Sequence, residues 1–154
     1  MTPEQKSFLT TAAAAAAKAG HVWPEYAACE AALESSFGTS GLATRANNLF
    51  GMKQHQHAIY GTLNLPTREF ENGQWIQTTA AWVDYPDQAS CFADRMATLQ
   101  RLSPVYPHYA AALSAASGED YVTAVSETWS TDPQRASKVL AIYDEMAGDW
   151  DATA

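Results

Sequence analysis

Along most of the chain, apolar residues recur at spacings of three and four, the period of helices with one face turned inward. Thr2-Pro3-Glu4-Gln5 opens the first such stretch with a capping residue, a proline at the first helical position and a glutamine three residues after the cap. That helix is expected to run to about Lys18 and to stop at Gly20. A second is expected from Pro24, with Tyr26, Cys29, Leu33 and Phe37 as its apolar stripe and Gly38 as its end. Residues 38–53, rich in Gly and Asn, read as a loop. Over 62–83 the pattern changes to strands, and Asn72-Gly73 between two extended arms is the signature of a tight hairpin. That turn sets Phe70 opposite Trp75 and Glu69 opposite Ile76, with Glu69 and Glu71 on the face away from Phe70. Helical spacing returns with Ala89, Phe92, Met96 and Leu99 behind a cap at Asp87, then in shorter stretches near Pro107–Leu113 and 119–128. A last helix is expected to begin at Asp132-Pro133 and to turn Ala136, Val139, Leu140 and Tyr143 inward. The fold class is therefore α+β, predominantly helical, with a small β-hairpin lobe, and residues 1–154 form a single domain.

Composition narrows the function. With 47% apolar and 11% aromatic residues the chain can build a core. A formal charge of -8 and the lack of a basic stripe argue against a nucleic-acid partner. No stretch approaches the roughly 18 apolar residues needed to cross a bilayer, so membrane insertion is not expected. The start, Met1-Thr2-Pro3-Glu4-Gln5-Lys6, lacks the basic and hydrophobic regions of a signal peptide, so a target outside the cytoplasm would need another delivery route. Cys29 and Cys91 permit one disulfide; two buried free thiols are the favoured reading. A monomer without metal or other cofactor is expected.

Glu34 is the residue whose position suggests chemistry. On a wheel of about 100° per residue it lies roughly 80° from the centre of the stripe, between core and solvent. The negative helix end and the neighbouring Phe37 both favour its protonated form, as a proton donor to a glycosidic oxygen requires. By position alone, an ordinary solvated glutamate is the better reading; the surrounding motifs reverse it.

Those motifs are Ala31-Ala32-Leu33-Glu34-Ser35-Ser36-Phe37-Gly38, followed by Asn47-Asn48-Leu49-Phe50-Gly51-Met52-Lys53. Thr67-Arg68-Glu69-Phe70-Glu71-Asn72-Gly73, Ser90 with Asp94 and Leu99, and Thr131-Asp132-Pro133 with Ala136 and Lys138 follow in order. Together they resemble glycoside hydrolase family 73, the peptidoglycan N-acetylglucosaminidases that include the flagellar rod-associated hydrolase and several autolysins. The resemblance covers about residues 5–147.

It implies a lysozyme-like fold with a groove between helical and hairpin lobes, acting on peptidoglycan glycan strands in the periplasm or outside the cell. Glu34 matches the catalytic acid. Glu69 matches the second carboxylate, which holds or deprotonates water in inverting hydrolysis, with Glu71 as its substitute; attack by the substrate's own acetamido group is the alternative route. Asn47 and Asn48 offer amides to an acetamido group or sugar hydroxyls, Phe50 a groove floor, and Asp94 a buttress. Trp75 and Trp129 offer sugar platforms. Trp129 stands where the family has a tyrosine, so Tyr121 or Tyr85 is a candidate for the missing phenol. Glu30 replaces a glutamine one turn before Glu34, where its charge would favour the protonated form of that neighbour.

His55 and His57 share a face in an extended segment but have no third ligand, and read as solvated loop residues. Two other functions remain: a muramidase or lytic transglycosylase with Glu34 as its sole acid, and a non-catalytic glycan-binding module.

Overall fold

The computed structural model describes residues 1–153, the last three by backbone alone. Helices α1 (Pro3–Lys18), α2 (Pro24–Ser35) and α3 (Gly41–Ala46) precede an antiparallel hairpin of β1 (Gly61–Glu71) and β2 (Gln74–Asp84). Helices α4 (Gln88–Leu102), α5 (Pro107–Leu113), α6 (Gly118–Trp129) and α7 (Arg135–Met146) complete the body, and a 3₁₀ segment spans Ala147–Thr153. Among the described residues no helix is long and apolar enough to cross a membrane.

The caps expected at Thr2 and Asp87 form, and Ser117 adds one that was not expected. Thr2 and Gln5 make a reciprocal capping box on α1, and Asp87 and Ser117 accept backbone N–H bonds at the starts of α4 and α6. The hairpin has the expected register, Phe70 opposite Trp75 and Glu69 opposite Ile76. Asn72 and Gly73 turn through the left-handed region at φ 51° and 77°.

Three expectations are corrected. α2 does not bury a single stripe of large residues. Its small residues Ala27, Ala28, Cys29, Ala31, Ala32 and Ser35 are buried together with Glu30, while Tyr26 and Leu33 are only partly covered. Small side chains let α1, α6 and α7 approach it from several sides, so α2 is the central helix. Phe37 lies beyond the helix, in left-handed backbone at φ 55°, with its ring edge-on to Phe8.

The segment 38–53 is not all loop. Ser40 caps α3 by accepting from the Ala43 N–H, and Asn47 ends it in the left-handed conformation. This is a short helix carrying both start and stop signals, hidden among glycines. At the other end α7 begins at Arg135, because the Asp132 carboxylate accepts the Gln134 N–H and holds 132–134 as a turn.

The hairpin departs from the body. Val83 and Tyr85 at its base are buried, Leu63, Leu65 and Thr67 partly so, and residues 68–79 are exposed. Each strand has 11 residues, a reach of about 35 Å at the usual rise per residue. Cys29 and Cys91 are buried free thiols.

Candidate active site

The site assembles around the C-terminal end of α2. Leu33 and Ser35 flank Glu34 on the covered side, and the Ser35 hydroxyl donates to the Ala31 carbonyl and accepts the Gly38 N–H. Those bonds close the helix end and leave Glu34 at its rim, with its side chain 28% exposed. An open trench of about 580 Å³ runs past it, bordered by Phe50, Met52, Lys53, Tyr109, Trp129 and Thr131 among others. A second hollow of about 690 Å³, lined by Tyr106, His108, Glu127, Thr128 and Asp132, shares Ser130 and Thr131 with the trench. The two hollows thus adjoin at the 130–131 segment.

Beneath Glu34 lies a charge cluster that sequence reasoning did not find. The Glu30 carboxylate is fully buried, and Arg95 donates to both of its oxygens at 3.0 and 2.7 Å. Arg135 Nη2 donates to it at 2.8 Å, and the Tyr121 hydroxyl at 2.6 Å. Arg95 also donates to the Tyr121 oxygen, and His21 Nε2 lies 3.2 Å from it. The Trp23 N–H donates to His21 Nδ1, so the proton of neutral His21 is on Nε2, aimed at Tyr121. From the same guanidinium, Arg135 Nη1 reaches the Ser126 hydroxyl and Nε reaches Glu34 Oε1 at 3.0 Å.

Burial by itself would drive the Glu30 carboxyl upward, but the Arg95 and Arg135 charges override it and hold the group well below the usual carboxylate range. The expectation that Glu30 acts on Glu34 as a bare negative charge is therefore corrected, since two guanidinium groups neutralise it. The cation at Glu34 and the position of Phe37 on Phe8 likewise replace the apolar surroundings expected there.

Arg95 ties the cluster to the trench wall. Its guanidinium lies 4.3 Å from the Trp129 ring centroid and 4.6 Å from that of Phe50. Phe50 also meets Trp129 and Phe92 edge-on, so it is core that borders the trench, as expected of a groove floor. The phenols nominated to replace the missing tyrosine are spent elsewhere, Tyr121 on Glu30 and Tyr85 on Asp94. The tyrosine that does border the trench is Tyr109.

Other nominees fall in different places. Asn48 is 1% exposed, and its amide donates to the Met52 and Val83 carbonyls and accepts the Met52 N–H, leaving nothing for a sugar. Asn47 donates to the Tyr85 carbonyl and caps α3. Both asparagines hold the hairpin base to the loop before it, and for the sealed Asn48 this corrects its assignment as a substrate ligand. Asp94 is buried and accepts from the Tyr85 hydroxyl at 2.5 Å and pairs with His55 Nε2 at 3.0 Å. It is the expected buttress rather than a ligand, and His55 is its partner rather than a solvated loop residue.

Glu69 and Glu71 lie on the exposed part of the hairpin, on the same strand face as the partly covered Leu63 and Leu65. Neither borders the trench as the hairpin stands. Phe70 and Trp75, 61% and 63% exposed, pair on the opposite face beneath Arg68.

A helical body thus carries an aromatic-walled trench with a carboxyl at a helix end, beside a projecting hairpin. The glucosaminidase family model, described as mannosyl-glycoprotein endo-beta-N-acetylglucosaminidase, matches residues 10–148, and the chain belongs to that family. Exo-glucosaminidase LytG of Bacillus subtilis is 32% identical over 127 residues, which make up 81% of this chain and 44% of that protein. A probable N-acetylmuramidase of Lactococcus lactis is 27% identical over 94% of this chain and 34% of its own length. The chain thus spans less than half the length of these relatives. The glycoside hydrolase domain of Salmonella typhimurium FlgJ superposes with a TM-score of 0.73 at 27% identity, over 92% of this chain and 97% of that one.

Proposed function

We propose that this domain is an endo-β-N-acetylglucosaminidase that hydrolyses the β-1,4 bond between N-acetylglucosamine and N-acetylmuramic acid in bacterial peptidoglycan. The observation that carries the reading is Glu34, half in and half out of an open trench, in a family whose relatives are named glucosaminidases and peptidoglycan hydrolases. The open trench favours cutting within a strand over trimming its end. A glycan strand laid across Trp129 and the Phe50 edge would bring a bridging oxygen to the Glu34 carboxyl, which donates its proton as the bond breaks. Glu69 is the proposed partner: closure of the hairpin would bring it over the trench to hold or deprotonate the attacking water. Where the substrate's acetamido oxygen attacks instead, Glu69 orients it.

The similarity to a probable N-acetylmuramidase supports a second reading, cleavage of the other bond by the same acid. Mass spectrometry of muropeptides released from purified sacculi separates them: a reducing-end N-acetylglucosamine supports the first reading, a reducing-end muramic acid the second. Glu34→Gln, which keeps the shape and removes the acid, is expected to lower sacculus clearing at least ~100-fold while wall binding persists. Wild-type clearing by that variant rejects Glu34 as donor. Glu69→Gln is expected to cost a similar factor if Glu69 activates water, and under about tenfold if the acetamido group attacks.

A further inference from the structure

We propose that Arg135 is a positioning residue for the proton donor: anchored from below, it fixes the Glu34 carboxyl over the trench. This rests on Glu34 being the acid. The guanidinium is buried, and each of its nitrogens has a different partner, Nη1 on Ser126, Nη2 on Glu30 and Nε on Glu34. Three partners on α2 and α6 fix both the place and the plane of the group, which starts α7. Glu34, by contrast, sits partly exposed at a helix end, and among the described residues no other hydrogen bond is made to its carboxyl. Its orientation is thus set from one side by one rigid donor at Oε1, while the residue borders the trench. Placement to within a fraction of an ångström is what general-acid catalysis needs.

Charge points the same way. Arg95 and Arg135 bring two positive charges to one buried carboxylate, Glu30, so the cluster presents a surplus positive charge to the Glu34 carboxyl. When Glu34 gives up its proton, the anion it becomes meets a preformed cation, with no rearrangement. A purely structural arginine would need Glu30 and Ser126 alone; the third bond, outward to the trench rim, is the part that serves the site. The same cluster holds the wall beside it, because Arg95 shares Glu30 and packs on Trp129 and Phe50.

The test is steady-state kinetics on soluble glycan fragments, with thermal unfolding alongside. Arg135→Lys keeps the charge but cannot reach three partners at once. It is expected to lower kcat by about 10- to 100-fold with KM within about threefold. A folded Arg135→Lys protein with wild-type kcat overturns the proposal, as does a loss confined to KM. Should that variant not fold, Arg135→Gln, which leaves the buried Arg95–Glu30 pair intact, is read by the same two outcomes. A Glu34→Gln protein that stays active instead rejects Glu34 as the acid. An inactive Glu34→Gln beside a fully active Arg135→Lys rejects only the positioning role.

Discussion

Asn48 and Glu34 show how the same family motifs can carry opposite duties. Both lie in runs that resemble one family, and both are polar, yet one is sealed and the other faces a trench. Asn48 replaces backbone partners for Met52 and Val83 at a point where the loop leaves the sheet ladder. Asn48→Ala is expected to cost about 2–4 kcal/mol of stability in urea unfolding, since it orphans buried backbone groups. A cost below about 0.5 kcal/mol would return Asn48 to the list of possible sugar ligands. His21 is a second residue whose duty only its surroundings reveal. Burial first, with Arg95 opposing and Glu30 favouring the charged form, lowers its pKa from 6.5 to about 4. Protonation at Nδ1 would set a donor against the Trp23 N–H.

At the scale of elements, the hairpin is held near its base, by Asn47, Asn48, Gln54 and the Lys53–Trp82 bridge among others. Its outer half has no packing against the body, so its shape depends on the Asn72-Gly73 turn and on cross-strand pairs. Gly73 at φ 77° is a position where a β-branched residue is strained. Gly73→Val is expected to shift Tm by less than about 2 °C, because the strain is relieved by local fraying. Sacculus clearing is expected to fall several-fold, because the arm bearing Glu69 loses its register. Unchanged clearing would show that the outer hairpin takes no part in catalysis.

For the whole molecule, the buried cluster sets how stability responds to acid. A histidine whose folded pKa lies below its unfolded value takes up its proton first in the unfolded chain. His21 therefore removes stability as pH falls from about 6.5 to about 4, an effect of about 3 kcal/mol by linkage. Glu30, held below the carboxylate range, contributes stability that is present above its unfolded pKa and is lost as pH falls further. Urea midpoints are expected to drop in two successive stages, and His21→Gln is expected to flatten the first. A wild-type midpoint that stays level from pH 6.5 to 4 would contradict the neutral, Nε2-protonated His21.

What the sequence determined by itself was everything carried by near neighbours. The capping box at Thr2, the caps at Asp87 and Ser117, the Asn-Gly turn and the hairpin register all depend on residues a few positions apart. The family motifs added the groove and the carboxyl at its rim, because Glu34 keeps its place at the end of α2. The tertiary structure alone decided which polar groups would be solvated. Arg95 and Arg135 meet Glu30 across 65 and 105 positions, and no local pattern distinguishes such arginines from surface ones. Their burial depends on α4 and α7 converging on a helix of small residues, and a charge is stable there only because its partners arrive with it.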